Sequence, residues 1–283
     1  TAKDEAEDAQ SVAGSSDSAT VEDELPEDEE LTPELVEEEA IRGDFMLRWA
    51  SIFLALLFGF SQISDTRTLV HVRSGDQMKA NGFLPAGTDT LSYAIEGQPT
   101  ANVSWLFDHV ISAVYSAGGE MGLTLFKALA AGLVAYLLSL ISVSGMPTWW
   151  NSICCVLAVG AMSIDFLPIT DLATLVGLVT VLLILHRYTE GNAGGLLWKL
   201  PLTMAVWANF DPHAYLGVIA IGLFAVGIQL QRSRSENQGD GPLVEASPVW
   251  KATAISMIAL LINPAPLASA MSVVATYGVE YPV

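Results

Sequence analysis

Seven apolar runs, each close to the ~20 residues that cross a bilayer core, dominate the chain beyond residue 44. They fall at about 45–63, 120–144, 149–166, 168–186, 196–210, 213–230 and 249–270. Repeated runs of this length dictate an all-α polytopic membrane protein, because only internally hydrogen-bonded helices or closed barrels satisfy the backbone in lipid. The composition agrees. Of 283 residues, 52% are hydrophobic and 15% charged, and the mean hydropathy of +0.45 is too high for an ordinary soluble domain. Pro168 and Pro212 lie in the short breaks of the pairs 149–186 and 196–230, as expected of tight helix connections.

The net charge of −19 belongs mainly to one end. Residues 1–44 hold 17 of the 31 acidic residues, with only Lys3 and Arg42 as bases, and so carry −15. Long like-charge runs with few aromatics predict an acidic disordered tail over 1–44 and a transmembrane domain over 45–283. The tail is a solvated extension or a docking arm for a basic protein partner. Thr32 ahead of Pro33 and Glu34 predicts a short helix start within it. No basic patch for nucleic acid is present. Cys154 and Cys155 are too few for a disulfide framework and read as buried thiols.

Basic residues set the expected orientation. With the N-terminus cytoplasmic, Arg42, Arg48, Arg187, Lys199, Arg232, Arg234 and Lys251 fall inside, whereas Arg67, Arg73 and Lys79 fall outside. Residues 231–247 then form a cytoplasmic linker, and 64–119 form a large first extracytoplasmic loop. Within that loop, TRTLVHVRSGDQMKANG predicts a helix ending at Gly82, and ANVSWLFDHVISAVYSAGG predicts a helix at the membrane interface.

The same orientation collects polar residues on the outer side. Asp65, His71, Asp76, Asn102, Asp108 and His109 lie in or near the loop; Asp165, Asp171, Asn209, Asp211, His213 and Asn263 lie at helix connections. Polar groups at membrane depth are functional candidates. A carboxylate such as Asp65 suits a general base or a divalent-cation ligand, or it merely ends the first span. His71 and His213 suit a phosphate or sugar site, or structural hydrogen bonds. Asp211 reads as a site residue or a turn residue, and Asp165 and Asp171 as helix caps. No strong metal, phosphate-loop, dinucleotide or nucleophile motif appears.

The order of these motifs resembles a bacterial family of uncharacterised polytopic membrane proteins that look like the GT-C glycosyltransferase superfamily. The resemblance covers about 45–270. It rests on Asp65 after the first run, His71-x-x-x-Gly75, the turn Asp89-x-x-Ser92-Tyr93, Trp105-Leu106, WANFDPHAYLG and LINPAP. Three departures are the inserted Asp211-Pro212 before His213, Leu167 where a basic residue is usual, and Ala265-Pro266 after Asn263-Pro264. The resemblance implies a GT-C-like fold of about seven transmembrane helices in a bacterial inner membrane. It implies a polyprenyl-phosphate sugar donor bound from membrane lipid, and transfer at the outer face. Asp65 matches the family's catalytic base or metal ligand, with a divalent cation as the candidate cofactor. His71 and Arg73 would hold phosphate, and Asn209, Asp211 and His213 would complete the wall. The alternative is a non-catalytic subunit or scaffold of a larger complex, a degenerate relative of that fold. A transporter fits less well, because the chain lacks a convincing inverted repeat.

Overall fold

A computed structural model describes residues 33–63, 65–85, 87–89, 91, 97, 100–143, 145–163, 169–191, 194–235 and 244–267. Asp165, Leu167, Pro168, Ser92, Tyr93 and residues 1–32 lie outside them, as does the middle of the 231–247 linker. All regular elements among the described residues are helical: α1 (Pro33–Gly59), α2 (Arg67–Asn81), α3 (Trp105–Ser139), α4 (Thr148–Ala161), α5 (Ile169–Thr189), α6 (Lys199–Phe210), α7 (Tyr215–Ser235) and α8 (Ala246–Ala259). Single 3₁₀ turns precede α6 and α7.

Among the described residues, three segments are long and apolar enough to cross a membrane: Trp105–Ser139, Asp171–Thr189 and Pro212–Arg234. They place the chain among integral membrane proteins. The other apolar runs give shorter or more polar helices. Helix α4 and helix α8 have 14 residues and α6 has 12, a rise of roughly 18–21 Å against a core of about 30 Å. The causes are local. Asp211 is extended (φ −152°, ψ 134°) and Pro212 follows it, which stops α6. Helix α8 gives way to turns ahead of Asn263-Pro264. Helix α1 starts at Pro33 and carries Asp44 and Arg48 in its middle, leaving its apolar stretch in the last turns.

The interfacial helix and the second run follow one another as two helical halves of α3, broken at Gly119, whose φ of 58° and ψ of −145° are not helical. That positive φ favours glycine. Helix α2 ends at Gly82 with φ 128°, again in glycine's territory.

Exposed Phe45, Trp49, Phe53, Leu57 and Phe60 line one side of α1. In water such a stripe would be an aggregation surface; lipid satisfies it. Several polar side chains within the helices turn inward instead. Lys127 of α3 is fully buried and donates to Ser61 Oγ at 3.0 Å, tying the end of α1 to α3. Asp44 is buried and accepts from Ser152 Oγ at 2.5 Å and Arg48 Nη2 at 3.0 Å.

Helix α2 lies directly against the first half of α3. Gly75 makes this approach possible. A Cβ there would fall 2.2 Å from the Asp108 carbonyl oxygen and 2.5 Å from Ser112 Cβ. Backbone cannot yield as a flexible side chain can, so Gly75→Ala must push α2 away from α3. The expected cost is about 1–3 kcal/mol, typical of overpacking. Thermal unfolding in lipid nanodiscs checks this against Gly43→Ala, where a Cβ meets nothing within 4 Å and helix propensity favours alanine.

Candidate functional site

WANFDPH, residues 207–213, becomes a buried polar knot where α6 meets α7. Trp207 is 3% exposed. Its indole occupies the space that side chains at Gly177 of α5 and Gly217 of α7 would fill. Its Nε1 donates to Asp211 Oδ2 at 3.1 Å, and Thr174 Oγ1 of α5 donates to the same oxygen at 2.5 Å. Asp211 Oδ1 meets His213 Nδ1 at 2.9 Å. Asp211 therefore binds α5, α6 and the start of α7 together at a depth where unpaired polar groups are costly.

Asn209 ties in two more elements. Its Oδ1 accepts from Trp105 Nε1 of α3 at 2.7 Å, and its Nδ2 donates to the Ile262 carbonyl at 2.6 Å, just beyond α8. Asn263 reinforces the junction, donating to the carbonyls of Val103 at 3.0 Å and Ala208 at 2.9 Å. These contacts anchor residues 102–105, where the loop enters α3.

Across from the knot stands His71. Its Nδ1 lies 2.5 Å from Asp108 Oδ1 in the first turn of α3, and Asn102 Nδ2 donates to Asp108 Oδ2 at 2.6 Å. Asp108 is 2% exposed. Phe107 packs edge-on against the His71 ring, with centroids 5.1 Å apart. The helix N-terminus favours the carboxylate.

Between His71 and the knot lies a cavity of about 140 Å³, lined by Arg67, His71, Ser104, Phe107, Asp171, Phe210, Asp211, Pro212 and His213. Phe107 and Phe210 also line a larger apolar groove of about 670 Å³ between α3, α5 and α6. The groove follows α5 from Ile169 to Thr180, about 16 Å of helix axis, or roughly one leaflet of a bilayer.

The structure thus brings together His71, Asp211 and His213 around one cavity, with Asn209 immediately behind it. Arg73 is exposed and does not line it. Arg67 does. The reason is helical phase: Arg67 is one turn from His71 and shares its face, whereas Arg73 is two residues away and points elsewhere. Asp65 also does not line the cavity. Its carboxylate accepts from Arg67 Nε at 3.2 Å on Oδ1 and 3.0 Å on Oδ2, and its Oδ1 from the Arg67 backbone N–H at 3.0 Å. Asp171, expected as a helix cap, lines the cavity, as does Ser104. The spacing Arg67, His71, Gly75 on one helical face was the signal that could have singled out Arg67.

Among the described residues, no group of three or more His, Cys, Asp or Glu side chains is arranged to hold a metal ion. The Asp65 oxygens accept from Arg67, and the Asp211 oxygens meet Thr174, Trp207 and His213. Arg67 is the one Lys or Arg among the described lining residues, beside the carboxylates of Asp171 and Asp211, and it uses Nε for Asp65. No family model, curated protein or solved structure matches this chain.

Two predictions follow from these contacts. Asn209→Leu strands the Trp105 indole N–H and the Ile262 carbonyl, and should cost about 1–3 kcal/mol for each group left unpaired; unfolding midpoints in nanodiscs measure it. The second concerns pH. Partial burial pushes the Asp65 carboxyl up, but the backbone and side-chain hydrogen bonds of Arg67, with the charges of Arg67 and His71, hold it below its ordinary value of 3.8. A carboxyl lowered on folding adds stability above its unfolded value and loses it as pH falls through the lowered folded value. The stability difference between the native chain and Asp65→Asn should therefore stay constant from neutral pH down to about pH 5, and close below 3.8.

Proposed function

We propose that this chain is a GT-C-like membrane glycosyltransferase, taking a sugar from a polyprenyl-phosphate donor at the outer face of a bacterial inner membrane. The N-terminus is cytoplasmic in this reading, and the shorter helices complete about seven membrane segments. The observation that carries it is a long apolar groove and a small polar cavity that share Phe107 and Phe210 in their walls. A lipid phosphate has this two-part chemistry: an apolar chain for the groove and an anionic head for Arg67, with His71 and His213 beside it. Binding of this kind needs mostly apolar walls and a few convergent polar groups.

Asp65 has a defined place in this reading. Gripped on both oxygens, it positions Arg67, whose own guanidinium is held more firmly protonated by the Asp65 hydrogen bond and charge. The same grip supports the second reading, a non-catalytic subunit in which these residues serve only the fold.

Undecaprenyl phosphate titrated into full-length chain in nanodiscs, read by native mass spectrometry, separates the two. The transferase reading expects retention of the lipid, about tenfold weaker binding for Arg67→Ala through loss of a charged hydrogen bond, and loss of binding for Ala173→Trp in the groove. Asp65→Asn should weaken binding less than Arg67→Ala. No retention by the native chain, or equal retention by Ala173→Trp, would leave the subunit reading.

A further inference from the structure

His71 lines a second cavity. It is a space of about 290 Å³ between α2 and the residues Leu84, Pro85, Thr88, Asp89, Leu91, Thr100 and Asn102, with Ser74, Gln77, Asn81 and Asp108 also among its walls. One imidazole therefore borders both the proposed donor cavity and this loop-covered cavity. The two differ in chemistry. Arg67 lines the first. The second has no Lys or Arg among its described lining residues and is rich in amides, hydroxyls and carboxylates. Such a wall disfavours an anion and suits a neutral ligand with many hydroxyls, each able to donate to a carboxylate or exchange hydrogen bonds with an amide.

The buried partner of His71 decides what the imidazole can do. Asp108 accepts on both oxygens, one from Asn102 and one from His71. With Asp108 a carboxylate, the neutral imidazole that meets it carries its proton on Nδ1 and its lone pair on Nε2. A carboxylate that fixes the tautomer and orientation of a histidine in this way makes it a general base. Phe107 against the ring face limits its rotation.

We propose that His71, oriented by Asp108, is the base that deprotonates a hydroxyl of a carbohydrate acceptor held in the loop-covered cavity. This rests on the transferase reading and names its acceptor class. The step balances within the two substrates. The acceptor hydroxyl oxygen bonds to the anomeric carbon of the donor sugar, and the bond from that carbon to the phosphate oxygen breaks. The phosphate leaves with the electron pair as lipid phosphate. The hydroxyl proton passes to His71 Nε2, and the imidazolium is held by Asp108. In this arrangement Asp65 is a positioning residue for Arg67, and the base is His71.

Diethyl pyrocarbonate acylates neutral imidazole nitrogens, so peptide mass spectrometry of the full-length chain in nanodiscs reads His71, His109 and His213 separately. The probes are free glucose, mannose, galactose, N-acetylglucosamine and arabinose, and a Ser/Thr-containing peptide. At least one sugar should slow acylation of His71 about tenfold near ten times its dissociation constant and leave His109 unchanged. Asn81→Leu, which removes an amide from the cavity wall, should weaken that protection. Asp108→Asn should slow acylation of His71 about tenfold through the wrong tautomer, and an unchanged rate at His109 on the same helix shows that the helix remains folded. Absence of protection by any sugar, equal slowing at all three histidines, or protection by the peptide alone overturns the acceptor class. An unchanged His71 rate in Asp108→Asn overturns the orienting role. Undecaprenyl phosphate retention in the same samples keeps the two proposals apart: lipid retained without sugar protection defeats only the acceptor inference, and sugar protection without lipid retention defeats only the donor reading.

Discussion

The Asn209 side chain is the contact on which one end of the membrane domain depends. It accepts from Trp105 at the start of α3 and donates to the Ile262 carbonyl beyond α8, while Asn263 returns hydrogen bonds to Val103 and Ala208. Three chain segments distant in sequence meet through two amides. A buried polar group left without a partner is costly, and this arrangement of the three segments supplies one for each amide. Once that junction forms, residues 102–105 have a defined position. Asn102 is then in place to hold Asp108, and Asp108 to hold His71.

The second constraint is steric. Gly75 has no side chain, so α2 rests directly on the α3 backbone at Asp108. His71 lies one turn before Gly75 on the same face and meets Asp108 as a consequence. The His-x-x-x-Gly spacing thus has a mechanical meaning: the glycine brings the helices into contact and the histidine uses the contact. Trp207 plays the corresponding part among α5, α6 and α7, filling the space left by Gly177 and Gly217 and steadying Asp211 through its indole nitrogen.

Much of the site was written in residue types. WANFDPH between apolar runs marked a polar connection, and Asp211, His213 and His71 do meet around one cavity. The helix end at Gly82 followed from glycine's tolerance of positive φ. Arg67 matches the phase of His71 on α2 and lines the cavity with it, whereas Arg73, which the resemblance points to, differs in phase and is exposed. Asp108 stood in the list of polar residues with no role, because its partners Asn102 and His71 come from different segments and only packing brings them to its two oxygens. Asp65 reads in sequence as an available carboxylate; the turn into α2 folds Arg67 back onto it.

The sequence alone determined that the chain is helical and built for a membrane, since long apolar runs leave the backbone no other way to satisfy its hydrogen bonds in lipid. It also determined which residues carry polar chemistry at one end of those runs. Tertiary structure decided which runs become helices long enough to cross: Trp105–Ser139, Asp171–Thr189 and Pro212–Arg234. It decided too which polar residues face a common space, because that depends on helix phase, on the close approach at Gly75 and on hydrogen bonds between residues more than a hundred positions apart, such as Trp105 and Asn209.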